Sequence, residues 1–362
     1  MSEDSLPARP STPAGVRAAS DLPIFVLEPT SVPKRYAHFA RPLHPALLGE
    51  ETGDVEALRR RLASIRRSLE GKADGLTATL KSTLARHPTV RVLETASVRE
   101  AVDFFFETAG PARNFGVNKS AVVAELSGPL REAGATVIDS YFSEFPSFTR
   151  AMERKEDLPD LDPASILASL PASESLRPFA LGDRAARDFI GVLGVNAVSA
   201  GDGSVFFLQH FTNITKILGT DRRIVFVVAI EKILPDREAA DLQTRLMAVY
   251  GWRAILLDLA NGRKGEARGL DSFPLLGAGV PRAPEIDVLL LDNGRRKIAR
   301  SPLHGGLLRC IGCRACMDRC PTYPAFRTEQ GLNPRDYALR FLRDEEASVS
   351  LCTNCRNCTD SC

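Results

Sequence analysis

Leu58, Leu62, Ile65 and Leu69 recur at helical spacing through residues 55–70, and Arg59, Arg60, Arg61, Arg66 and Arg67 occupy the other faces. That pattern predicts an amphipathic helix with a solvated basic side. From about residue 90 short β-branched runs alternate with helical stretches. Strands are expected over 90–93, 115–117, 135–138, 223–230, 254–259 and 286–291. A further strand, 204–208, follows a tight turn at Gly201-Asp202-Gly203. Helices are expected from Ser97, over 120–133 and over 237–249. Strands that alternate with helices predict a mostly parallel sheet covered on both faces, an α/β domain.

Two stretches lack such periodicity. The first 33 residues carry Pro7, Pro10, Pro13, Pro23, Pro29 and Pro33 among Ser, Ala and Arg. They read as a loose arm, since they offer little apolar surface to offset the entropy of ordering. Residues 155–182, rich in Pro, Asp, Ser and Leu, read as a surface excursion with one short helix over 165–170. Asp183 is placed to cap the helix after it.

Composition narrows the function classes. The chain has 362 residues, 47 Lys and Arg against 45 Asp and Glu, and a net charge of +2. Charge this balanced gives no reason to expect nucleic acid or an anionic membrane as a partner. No apolar run approaches the roughly 20 residues of a transmembrane span, and the N-terminus has no secretory pattern. A cytoplasmic protein is expected. Gly191-Val192-Leu193-Gly194 lacks the dinucleotide fingerprint, and a P-loop is missing. His38, His44, His87, His210 and His304 are scattered without metal-ligand spacing; His210, after a strand end, is the one to inspect. No residue is assigned a catalytic role.

The cysteines carry the chemistry. All eight lie between Cys310 and Cys362. A disulfide framework would spread through the fold it staples, so ligation of metal is expected. Cys310, Cys313, Cys316 and Cys320, followed by Pro321, form C-x2-C-x2-C-x3-C-P, and Cys352, Cys355, Cys358 and Cys362 repeat the spacing. Zinc sites pair two knuckles across a longer loop, whereas this triple-plus-one pattern is that of two-cluster ferredoxins. In such a pattern the fourth cysteine ligates the other motif's cluster. The expected centres are two [4Fe–4S] clusters, one on Cys310, Cys313, Cys316 and Cys362, the other on Cys320, Cys352, Cys355 and Cys358. The second motif has no proline because the sequence stops at Cys362, and a continuation past it is expected. Between the motifs, residues 331–343 read as a helix with Asn333 as N-cap and Pro334 at its first position. It is expected to pack over the clusters, with Arg335, Arg340 and Arg343 available to a partner.

These residues resemble the lactate-utilisation protein B family. The resemblance rests on Asp292-Asn293-Gly294-Arg295, on Leu308-Arg309 before the first motif, and on Cys320-Pro321-Thr322-Tyr323. Upstream, Asn118-Lys119-Ser120, Gly194-Val195-Asn196 and Glu231-Lys232-Ile233-Leu234-Pro235 resemble the family's LUD domain. It covers roughly residues 55–362. A flexible arm is expected over 1–54, and the resemblance implies a LUD α/β domain over 55–300 similar to coenzyme A transferases and formyltetrahydrofolate cyclo-ligase, and a small helical dicluster domain over 301–362. It also implies an iron–sulfur electron-transfer subunit of a complex oxidising L-lactate to pyruvate without NAD. A second LUD protein, a cysteine-rich-domain protein and an electron-acceptor protein would be its partners. Two features depart from the family. Ala200-Gly201-Asp202-Gly203-Ser204 replaces an Ala-Glu-Thr-Gly-Thr segment, and the short linker with Asn333-Pro334-Arg335 is more similar to that of a heterodisulfide reductase component. A heterodisulfide-reductase-like subunit whose LUD domain is a docking platform is therefore the alternative, and a redox-sensing module a third.

Overall fold

The computed structural model describes residues 22–27, 55–109, 113–118, 120–139, 189–208, 213–218, 223–250, 285–316, 320–321, 334–343, 352–360 and 362. The strand expected over 254–259, the short helix over 165–170, Asp183, Asn333 and His210 lie outside these residues.

Ten strands are described in two sheets: β1 (Ile24–Leu27), β2 (Val90–Thr95), β3 (Asn114–Val117), β4 (Thr136–Asp139), β5 (Ile190–Gly194), β6 (Ala197–Ser199), β7 (Val205–Leu208), β8 (Ile224–Ala229), β9 (Ile233–Leu234) and β10 (Ile286–Leu291). The larger sheet has six parallel strands in the order β2-β10-β8-β5-β3-β4. Its central strands are apolar on both sides because both faces are covered. On β8, Ile224, Phe226 and Val228 enter one core cluster with Leu80 and Leu84, while Val225, Val227 and Ala229 enter a second with Phe105, Phe115 and Leu126. The α/β class with a mostly parallel sheet is the one the alternating pattern predicts.

The helices named below are α1 (Val55–Ser68), α2 (Ala73–Leu84), α3 (Val98–Ala109), α4 (Ala121–Glu132), α5 (Asn213–Leu218), α6 (Arg237–Tyr250), α7 (Arg295–Ala299), α8 (Pro334–Leu342) and α9 (Asn357–Asp360). A 3-10 turn, Ile230–Lys232, leads directly from β8 of the large sheet into β9 of the small one.

The expectation of a loose arm over 1–54 is corrected at one place. Ile24–Leu27 is a strand that pairs in parallel with β7 at the edge of the small sheet. Leu22, Ile24 and Val26 are buried, and Phe25 stacks on Phe206 with ring centroids 4.8 Å apart. Pro23 precedes the strand without interrupting its ladder, and its carbonyl accepts from the Val205 amide at 2.9 Å, as prolines can at strand starts. Pro23 and Pro29 mask the short apolar run between them.

The strand order reverses between β3 and β5, and Asn118 fills that switch point. Its Nδ2 donates to the Gly194 carbonyl at 3.1 Å, and its Oδ1 accepts from the Gly194 amide at 2.8 Å. A methyl group added at Gly194 would collide with the Ser120 side chain and lie 2.9 Å from Val122 Cγ1. Gly194→Ala is therefore expected to cost about 1–3 kcal/mol of stability by overpacking. Urea denaturation that leaves the midpoint unchanged would contradict this.

Candidate metal centre

The C-terminal ends of β3, β5, β8 and β10 carry Asn118, Gly194-Val195-Asn196, Glu231-Lys232 and Asp292–Arg295 in turn. In open parallel sheets this edge is where ligands bind. Here it holds a buried network of charge, and the cysteine-bearing segment docks on it.

Arg295, 1% exposed, is the centre of the network. Its guanidinium grips Glu125 of α4, Nη1 to Oε2 at 3.1 Å and Nη2 to Oε1 at 2.5 Å. Its Nε faces Glu231 Oε2 at 2.7 Å as an ion pair without hydrogen-bond alignment. Glu231 Oε1 accepts from Arg335 of α8, whose other nitrogen Nη1 donates to Asp336 at 3.0 Å. Arg343, at the end of α8, donates to Glu125 Oε2 at 2.7 Å, and Asn293 Nδ2 reaches the same oxygen at 2.7 Å. Burial opposes ionisation of both carboxyls, yet Arg295 and its neighbours hold Glu125 and Glu231 below the usual carboxylate range.

Two more cations hold the segment that leads into the first cysteine motif. Arg66 of α1, 6% exposed, donates to the carbonyls of Leu308, Arg309 (3.1 Å) and Glu231 (2.7 Å). Lys232 Nζ donates to the Ile311 carbonyl at 2.5 Å. Burial pushes the Lys232 ammonium down to about 8, and Arg335 adds to that while Glu231 and Cys310 oppose it. The Arg59 guanidinium also donates to the Cys362 carbonyl at 2.9 Å.

Two sequence-based expectations change here. Arg335 and Arg343 do not face outward toward a partner; they point into the sheet edge and clamp α8 to it. Arg66 does not belong to the solvated basic face of α1. It sits one turn beyond buried Leu62, so helical spacing places it at the border of the apolar stripe. Arg61, four residues before Ile65, has the same relation to the stripe and is half exposed, so the spacing alone does not single Arg66 out. Glu125, Glu231 and Arg295 gave no signal of their own, because ion pairs between distant segments leave no periodicity.

Both cysteine motifs fold with the same local path. In the first, Gly312 (φ 81°) and Arg314 (φ 68°) flank Cys313 in the left-handed region. In the second, Asn354 (φ 53°) and Arg356 (φ 62°) flank Cys355 in the same two positions. Non-glycine residues rarely adopt this conformation, and its repetition at matching places marks loops built to one pattern. Successive turns of this kind aim backbone amides into an anion-binding hollow of the sort that holds iron–sulfur sites.

The thiols of the first motif gather with that of Cys362. Burial pushes Cys313 up to about 12, and the Cys310 and Cys362 thiols push in the same direction. Cys316 is raised by burial and by Cys310, Cys313, Cys358 and Cys362, and Cys362 by burial, Cys310 and Cys358. Cys352 and Cys355 are exposed, and Cys320 and Cys358 half-buried. Among the described residues, no three His, Cys, Asp or Glu side chains converge on the position of one ion. With thiols as its donors on loops of one repeated path, the site fits four-thiolate ligation of a cubane. Loading it must displace protons from these raised thiols.

Residues 306–362 match the 4Fe-4S dicluster domain family. The dicluster domain thus spans both motifs, α8 and α9. The chain is also 28% identical over 134 residues to lactate utilization protein B 2 of Bacillus mycoides, and equally so to lactate utilization protein B of Bacillus cereus. The matched stretch spans 37% of this chain and only 26% of either relative. A DUF162 family protein from Deinococcus radiodurans overlays with a TM-score of 0.32 and 14% identity, covering 60% of this chain and 98% of its own. Among the described residues no helix is long and apolar enough to cross a membrane.

The remaining motifs are structural. Asn196 Oδ1 accepts from the Leu208 amide at 2.7 Å, and its carbonyl accepts from Gln243 at 2.9 Å. Asp202, where the family resemblance breaks, accepts from the Ser204 amide at 3.1 Å and from Arg237 at 2.7 Å. Gly203 at φ 75° completes the tight turn expected there.

Proposed function

We propose that the chain is the iron–sulfur electron-transfer subunit of a cytoplasmic lactate-utilisation-type complex that oxidises L-lactate to pyruvate. Two [4Fe–4S] clusters pass its electrons one at a time. The electron-transfer part of this reading is carried by the loop geometry repeated at Cys313 and Cys355. The lactate part is supported by the similarity to lactate utilization protein B. The first cluster is assigned to Cys310, Cys313, Cys316 and Cys362 on the interleaved spacing of the two motifs. The second is assigned to Cys320, Cys352, Cys355 and Cys358.

The chain's own residues hold and shield this path. Arg335 and Arg343 fix the helix between the motifs to the sheet edge, so both loops keep one position relative to the α/β part. Two-electron oxidation of lactate, on a partner or in the LUD domain, releases two protons that groups at the substrate site take up, while the clusters carry single charges. A second LUD protein, a cysteine-rich-domain protein and an acceptor protein are proposed as partners.

The test is EPR of the anaerobically purified native complex before and after addition of L-lactate. New reduced-cluster signals on lactate are expected. Clusters that dithionite reduces but lactate leaves silent would replace this reading by the heterodisulfide-reductase-like one, which the α8 linker favours.

A further inference from the structure

A bank of cations, Arg66 and Arg335 buried and Lys232 half-buried, stands behind the first cysteine loop. Lys232, Arg66 and Arg335 each act electrostatically on Cys310. The carboxylate among them, Glu231, is already held between Arg295 and Arg335. Lys232 reaches furthest into the loop. Its Nζ bonds the Ile311 carbonyl, next to Cys310, and a methyl group on Gly312 would lie only 3.2 Å from that nitrogen. The ammonium thereby acts on Cys313 as well as Cys310. Arg66 and Arg335 direct their nitrogens to carbonyls and carboxylates of the scaffold.

We propose that Lys232 sets the reduction potential of the iron–sulfur cluster held by Cys310, Cys313 and Cys316, keeping it higher than the cysteines alone would. A cubane with four thiolate ligands is a net anion, and one-electron reduction adds a further negative charge. A fixed cation nearby stabilises the reduced state more than the oxidised one, and net charge and surrounding hydrogen bonds are among the factors that set such potentials. Burial keeps salt from screening the interaction. The effect falls on the cluster of the first motif, because Lys232 bonds the loop between Cys310 and Cys313. Lys232 takes this role on the reading that the first motif binds a cluster.

The experiment is an EPR-monitored redox titration of the full chain, wild type beside Lys232→Met, Lys232→Gln and Lys232→Arg, each with iron and sulfide measured. Glutamine keeps a donor for the Ile311 carbonyl and removes only the charge. Met and Gln are expected to lower one midpoint potential by at least about 59 mV, a tenfold change in the one-electron equilibrium. The second potential should stay put, and Arg should remain near wild type. Unchanged potentials in loaded Met and Gln proteins would overturn the proposal. So would a shift in Met but not Gln, which would assign the effect to the hydrogen bond. Loss of the cluster in both would also overturn it, giving Lys232 a holding role. Wild-type protein without cluster signals would instead sink the cluster reading, before any substitution is compared.

Discussion

Glu231→Ala is expected to destabilise the protein by about 3–5 kcal/mol, the cost of removing one partner from a buried ion pair. The side chain is 2% exposed and lies between Arg295, 1% exposed, and Arg335, 8% exposed. Without it, Arg295 keeps Glu125 and Arg335 keeps Asp336, but each of these buried guanidiniums loses the carboxylate they share. Because Arg335 belongs to α8, the same change should loosen the dicluster domain from the sheet edge. Urea denaturation of the iron-loaded protein and protease sensitivity around α8 measure the two effects; a wild-type midpoint would refute the first. The pH dependence has a definite sign. The folded carboxyl titrates below its unfolded value of about 4.3, so its stabilisation is complete above that pH and is lost as the pH falls toward the folded value. Glu231→Gln should therefore flatten the acid limb of the stability profile.

Cys320→Ser should remove the cluster bound through Cys352, Cys355 and Cys358 and spare the one on its own motif. The protein would then retain about half of its iron and one of two EPR signals, as interleaved ligation requires. Cys362→Ser should do the converse, because the interleaved pattern assigns it to the cluster of the first motif. If Cys320→Ser abolishes the cluster of the first motif alone, each motif ligates its own cubane and the interleaved assignment fails.

Much of the fold was legible because burial imposes a period. The six apolar residues of β8 and the alternation of strands with α3, α4 and α6 each leave a local signature. The cysteine spacing is equally local, since consecutive ligands must turn around one cluster. What the sequence could not display was the dock. Arg66 bonds carbonyls 242 and 243 residues away, and Arg295 pairs with a carboxylate 170 residues back. A buried charge is tolerated only by its distant partner, so nothing near it in the chain announces that it is inside. Strand β1 was hidden for a different reason: a strand of four residues is too short to establish a period.

The dock also imposes an order of events on biosynthesis. Glu231 precedes Arg335 by 104 residues. At 5–20 residues per second, roughly 5–20 s separate the two on the ribosome. Glu125 is made before that interval and Arg295 within it, so the acidic half of the clamp and its bridging arginine precede the helix they capture. The α/β part thus offers a receptor to a segment made after it, and Cys352, Cys355 and Cys358 follow the surface that holds α8.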